Sequence, residues 1–150
     1  MPRASATIAT ASARETHTLG KLLAKRLHGG EVFAINGELG AGKTVLVRGL
    51  AEGLGVRHHI SSPTFLLMRV YRIKDRGKKI RRFVHVDAYR VQHPSELTDI
   101  GLNEFFGKPD TVVAIEWAER VKPLLPARRY DLTLRLGKTL NVRHLTLHRR

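Results

Sequence analysis

Residues 37–44 read Gly37-Glu38-Leu39-Gly40-Ala41-Gly42-Lys43-Thr44 and match the phosphate-binding pattern G-x-x-x-x-G-K-[ST] in full. The glycines allow backbone N–H groups to converge on a phosphate without a Cβ in the way. A helix that follows directs its positive dipole end at the same anion. Lys43 reaches the β- and γ-phosphates, and the Thr44 hydroxyl ligates Mg2+. The pattern requires a strand before it and a helix after it. Glu31-Val32-Phe33-Ala34-Ile35-Asn36 is an apolar run of strand length. Lys43 to Leu54 carries Val45, Leu46, Leu50 and Leu54 on one side, with Gly55 at the exit. Both conditions are met.

On the N-terminal side, residues 1–11 are mostly small, with β-branched Thr7, Ile8 and Thr10, and read as a short strand or extended arm. Ser12-Ala13-Arg14-Glu15 has the form of a capping box. Leu19, Leu22, Leu23 and Leu27 follow at helical spacing until Gly29-Gly30. On the C-terminal side, Phe65 to Ile73 reads as a strand, with Asp75-Arg76-Gly77 as a hairpin tip. Phe83-Val84-His85-Val86 and Thr111-Val112-Val113-Ala114-Ile115 are further strands. Between them Pro94-Ser95-Glu96 opens a helical stretch through Phe106, and Pro123 and Pro126 mark a loop. Leu132, Leu134 and Leu136 alternate, Gly137-Lys138 turns, and Leu140 and Val142 alternate again. Leu145 and Leu147 fall on the other parity, which predicts a β-bulge near Arg143-His144. Strand–helix alternation early and strands late predict an α/β fold: a P-loop core with a mixed parallel and antiparallel sheet flanked by helices, ending in a C-terminal β-hairpin. No linker or internal repeat divides residues 1–150, which read as one domain.

A P-loop site also needs an acid at the end of an apolar strand, to hold the metal or to place the attacking water. Two acids qualify: Asp87 after Phe83–Val86, and Glu116 after Val112–Ile115. Their placement fits a pair, and chemistry alone leaves open which does which. Ser61-Ser62-Pro63-Thr64 lies where P-loop enzymes carry a switch whose hydroxyl senses the γ-phosphate, and also reads as a plain Pro turn. Trp117, the single Trp, follows Glu116 and either stacks on a base or packs.

Leu, Ile, Val and Phe supply 44 of the 150 residues, enough for a core. The absence of cysteine excludes disulfides, thiolate zinc sites and a Cys nucleophile. No apolar run has the length of a membrane span or a secretory signal, so a cytoplasmic chain with no membrane contact is expected. Twenty-seven Lys and Arg against 13 Asp and Glu leave a net charge of +14, which attracts polyanions. Seven basic residues and one acid lie between Arg72 and Arg82, and nine basic residues and one acid from Arg120 onward.

Several motifs in order resemble the TsaE (YjeE) family of small bacterial P-loop ATPases, from about Ser12 to Leu136. These are residues 37–44; Ser62-Pro63-Thr64-Phe65; His85-Val86-Asp87-Ala88-Tyr89-Arg90; Glu96-Leu97 with Gly101-Leu102; Ile115-Glu116-Trp117-Ala118-Glu119-Arg120; and Pro123-Leu124-Leu125-Pro126. The resemblance implies ATP and Mg2+ as cofactors and a role in threonylcarbamoyl modification of an adenosine beside the tRNA anticodon. It implies TsaB- and TsaD-like partners, whose complex the ATPase resets between cycles. By position it implies Lys43 and Thr44 on phosphate and metal, and Glu116 as the Mg2+ ligand. Asp87 joins the catalytic or water-placing set, Thr64 the switch-like segment, and Trp117 neighbours the nucleotide. Val45 stands where the family commonly has a second Thr, and the basic excess departs from family members that are often acidic or neutral.

Two other readings share the P-loop. A small-molecule kinase needs a lid and an acceptor pocket, for which 150 residues leave little room. A basic RNA-binding module with a regulatory nucleotide site predicts salt-sensitive RNA affinity that survives Lys43→Ala.

Overall fold

The computed structural model describes residues 4–75 and 77–150. Residues 1–3 of the expected arm and Arg76 of the expected hairpin tip lie outside them. The elements are β1 (Ser5–Thr10), α1 (Ala13–Ala24), β2 (Val32–Gly37), α2 (Lys43–Leu54), β3 (Met68–Arg72), β4 (Arg82–Asp87), α3 (Ser95–Asp99), β5 (Thr111–Glu116), β6 (Tyr130–Leu136) and β7 (Arg143–Arg149). Short 3-10 segments cover Leu102–Phe105 and Ala118–Leu124.

One seven-stranded sheet runs in the order β1-β7-β6-β2-β5-β4-β3. The four central strands, β6, β2, β5 and β4, are parallel. β3 on one flank, and β7 and β1 on the other, run antiparallel to their neighbours. This is the mixed α/β sheet that the sequence predicts, including the C-terminal hairpin. Side-chain alternation along β2 divides the core into two layers. Phe33 and Ile35 pack with Leu46, Val47, Leu50 and Leu54 of α2, while Val32 and Ala34 pack with Val84, Val113, Leu97 and Leu102 on the opposite face. The two long helices cross almost in backbone contact. A Cβ at Gly49 would lie 2.0 Å from the His17 carbonyl oxygen, so only glycine fits there.

Local signals that rest on backbone chemistry are realised. Ser12 caps α1 and accepts from Glu15 N–H (3.1 Å), while the Glu15 carboxylate accepts from Ala11 N–H (2.6 Å) rather than from the cap residue itself. α1 ends at Ala24, one turn before the glycines.

Four expectations need correction. The strand predicted over Phe65–Ile73 begins only at Met68, because Leu67 takes a left-handed φ of 64° and folds residues 63–67 into a turn. Phe65 is consequently 84% exposed. The helical stretch from Ser95 breaks at Gly101 (φ 90°) into α3 and a 3-10 turn. The loop read around Pro123 is helical through Leu124.

The predicted bulge near Arg143-His144 is replaced by an unbroken register from Tyr130↔Arg149 to Leu136↔Arg143. Leu140 and Val142 belong to a wide connection, residues 137–142, closed by Gly137 N–H donating to Val142 O (2.8 Å). Their parity therefore says nothing about the strand. Leu145 and Leu147 pair opposite Leu134 and Leu132 on a common face.

Candidate active site

The parallel strands β2, β4 and β5 all end at one edge of the sheet, and the register sets Asp87 opposite Glu116 and Glu116 opposite Ile35. Both acids therefore stand level with the start of the glycine-rich loop. A cleft of about 560 Å³ opens there, lined by residues that include Gly40, Gly42, Lys43, Thr44, Ser62, Thr64, Asp87, Glu116, Trp117 and Arg143. Ligand sites in open α/β sheets lie at this carboxyl end of the strands.

The loop leaves β2 at Gly37 and enters α2 through Gly42, whose φ of 99° suits glycine. Among the described residues no side chain caps α2, so the first-turn amides are left for a ligand. Lys43 bends back over the loop. Its Nζ donates to Gly37 O (2.5 Å) and Glu38 O (2.8 Å) and lies 4.0 Å from the centre of the Trp117 ring. Burial pulls the Lys43 ammonium below its ordinary pKa, against the opposing pull of Glu116, Glu119, Asp87 and Glu38.

The two acids have separate retinues. Glu116 accepts from Thr44 Oγ1 (2.7 Å) through one oxygen and from His85 Nε2 (2.5 Å) through the other. His85 and Glu116 are both buried, and His85 Nδ1 has no partner among the described residues. Asp87 instead accepts from the hydroxyls of Ser62 and Thr64 (3.1 Å to Thr64), and from Tyr89 N–H (2.9 Å). Trp117 takes a left-handed φ of 58°, which turns its ring back over Lys43 and against Tyr89, with centroids 4.9 Å apart. Arg120 covers both rings at 5.4 and 5.6 Å.

The family model for "Threonylcarbamoyl adenosine biosynthesis protein TsaE" matches residues 10–145. The chain belongs to the TsaE family. A Streptomyces coelicolor relative named tRNA threonylcarbamoyladenosine biosynthesis protein TsaE is 43% identical over 133 residues, 86% of each chain. A Bacillus subtilis relative of the same name is 36% identical over 126 residues, 84% of this chain and 75% of its own. The crystal structure of Bacillus subtilis YdiB is similar in fold, with a TM-score of 0.78 at 27% identity over 99% of this chain and 88% of that one.

In this TsaE-family chain, the Lys43, Thr44, Thr64, Asp87, Glu116 and Trp117 singled out from the sequence all line one cleft, together with Leu39, Gly40 and Gly42 of the loop. Gly37 and Glu38 meet the site through their carbonyls, and Ala41 is buried beneath it. His85 is a strand residue beside Asp87, but its hydrogen bond goes to Glu116. Arg143 was missed as a site residue. Its guanidinium donates to Gly40 O (3.2 Å) from the far side of the loop, and no local motif announces it.

The basic run from Arg72 to Arg82 joins the other ends of β3 and β4, away from the cleft. A second hollow there, of about 360 Å³, is lined by Lys25, His28, Lys78 and Lys79. No helix of the described residues is long and apolar enough to cross a membrane.

Proposed function

We propose that this chain is a Mg2+-dependent ATPase of tRNA threonylcarbamoyladenosine biosynthesis that resets a TsaB–TsaD-type complex between catalytic cycles in the cytoplasm. The observation that carries the reading is the convergence in one cleft of Lys43, the Thr44–Glu116 pair and the Asp87–Ser62–Thr64 cluster.

The donor set suits Mg2+. Thr44 Oγ1 and Glu116 Oε1 are hard oxygen atoms that already meet at 2.7 Å. The described residues hold no cluster of three or more His, Cys, Asp or Glu that would make an all-protein cage. Mg2+ commonly takes one or two protein oxygens and completes its shell with phosphate and water. Thr44 and Glu116 would hold it, and His85 would orient Glu116 from behind. When bound, the ion neutralises charge on the phosphate oxygens.

The protein's own groups supply the rest. The amides of residues 37–44 and the first turn of α2 bind phosphate oxygens. Lys43 exchanges its two loop carbonyls for phosphate and stabilises the charge of the transferring phosphoryl group. Asp87, tied to Ser62 and Thr64, orients the attacking water and senses through those hydroxyls whether the terminal phosphate is present. Trp117 shields Lys43 from solvent on the acid side.

The partner surface is open to two contacts. TsaB- and TsaD-like proteins approach the cleft and gate turnover, which makes the isolated chain slow. The basic face at the opposite end of the sheet is available to tRNA without competing for the nucleotide. RNA affinity there would fall steeply with salt and persist in Lys43→Ala.

The test is Mg2+-dependent ATP hydrolysis by the wild type and Lys43→Ala, with and without a TsaB–TsaD complex. The expected result is stimulation by the partners that disappears in the variant. A wild-type rate unaffected by the partners would overturn the gating. Phosphate transfer to an acceptor other than water would favour a kinase.

A further inference from the structure

We propose that Arg143 is a nucleotide-binding residue, which grips the nucleoside side of the phosphate chain from across the P-loop. The inference rests on the reading of the cleft as an ATP site and extends it to an end that none of the P-loop motifs describes.

The guanidinium is held by carbonyl groups alone. Nη1 donates to Leu140 O (2.6 Å) and Val142 O (3.1 Å), and Nη2 to Gly40 O (3.2 Å). Among the described residues no carboxylate lies within ion-pair distance of it. A full positive charge is thus half-buried against the loop, balanced only by dipoles. An arginine fork matches phosphate oxygens in geometry as well as charge. Its Nε would lie 3.8 Å from a Cβ built on Gly42, so the group reaches over the last turn of the glycine-rich loop.

The strand order says which end of a nucleotide it meets. Thr44, Glu116 and Asp87 collect over β5 and β4, on one side of β2. In the reading above, the metal and terminal phosphate belong on that side. Arg143 opens β7, two strands away on the other side of β2. Beside it the cleft is lined by Ala13, Thr16 and Asn141, with no acid among them. A phosphate chain lying along the loop, with its terminal group at Glu116 and Asp87, brings its inner phosphate and ribose to Arg143. The wide residue 137–142 connection gives the guanidinium two of its carbonyl anchors there.

This position has a distinct signature. A group on the terminal phosphate discriminates ATP from ADP, whereas a group on the inner phosphate binds both. Calorimetric titration of the full chain with ADP and with a non-hydrolysable ATP analogue, each with Mg2+, reads the difference directly. Arg143→Ala is expected to weaken both ligands by the same factor, roughly ten- to a hundredfold, as for loss of a charge-assisted hydrogen-bond pair. In hydrolysis it should raise KM far more than it lowers kcat. Arg143→Gln keeps an N–H donor for the carbonyls without the charge, and should lose affinity alike with its thermal midpoint retained. Arg143→Lys should recover part of the affinity. Loss of the ATP analogue alone would move Arg143 to the terminal phosphate, and a fall in kcat at unchanged Kd would make it a transition-state group. Unaltered binding of both ligands would make it a brace for the loop. Each of these overturns the assignment. A wild-type chain that binds neither ligand would overturn the ATP reading of the cleft and this inference with it.

Discussion

Asp87 and Glu116 end neighbouring parallel strands, face each other in register and are both buried, yet their surroundings differ completely. Glu116 is bonded to the P-loop hydroxyl of Thr44 and backed by His85. Asp87 is bonded to the two hydroxyls of the connection that leads into β3. Position at a strand end brings an acid to the cleft. The hydroxyls that reach it tell the two apart, and under the proposed function they put Glu116 with the metal beside the glycine-rich loop and Asp87 with the water and the switch-like turn.

That division can be broken from either side. The largest effect is expected for Asp87→Asn. It keeps the shape but removes the charge to which the proposed function gives the attacking water, and should lower kcat by about 10²–10⁴-fold while nucleotide still binds. Next is His85→Asn, which removes the group fixing the second oxygen of Glu116. Loss of such an outer partner should weaken Mg2+ dependence about 10–100-fold, measured as the Mg2+ concentration for half-maximal hydrolysis. Ser62→Ala leaves Asp87 with Thr64 and Tyr89 N–H, so a net loss of about 1 kcal/mol, less than tenfold in kcat, is expected.

The smallest effect is on stability. Burial lowers the Lys43 pKa in the fold, so the folded chain binds that proton less tightly than the unfolded one. Without nucleotide, stability should therefore rise with pH between the lowered value and the ordinary 10.5. Below the lowered value the full penalty is present. Lys43→Met should then raise Tm in the absence of nucleotide, by roughly 2–4 °C for each kcal/mol recovered. A lower Tm would show that the carbonyl and Trp117 contacts outweigh the cost of burial.

What the sequence disclosed and what it hid follow a physical line. The glycine-rich loop, the α1 cap and the acids at strand ends were legible because each depends on backbone geometry over fewer than ten residues. The separate hydrogen-bond partners of Asp87 and Glu116 were not, because Ser62 and His85 reach them only through sheet packing. Arg143 was least legible of all. Its place beside Gly40 follows from β7 lying two strands from β2, which no spacing along the chain encodes. The expected bulge is absent for a related reason: Leu140 and Val142 alternate like strand residues but lie in a loop, where Leu140 is 89% exposed. Leu67 carried no sign of its left-handed φ, since nothing in its type favours that conformation.

The most direct test of the division of labour follows the single Trp117 by fluorescence while ADP is titrated at several Mg2+ concentrations, in the wild type, Glu116→Gln and Asp87→Asn. The expected result is that Mg2+ tightens ADP binding in the wild type and Asp87→Asn, and no longer does so in Glu116→Gln. Mg2+ dependence that survives in Glu116→Gln and is lost in Asp87→Asn would contradict the account.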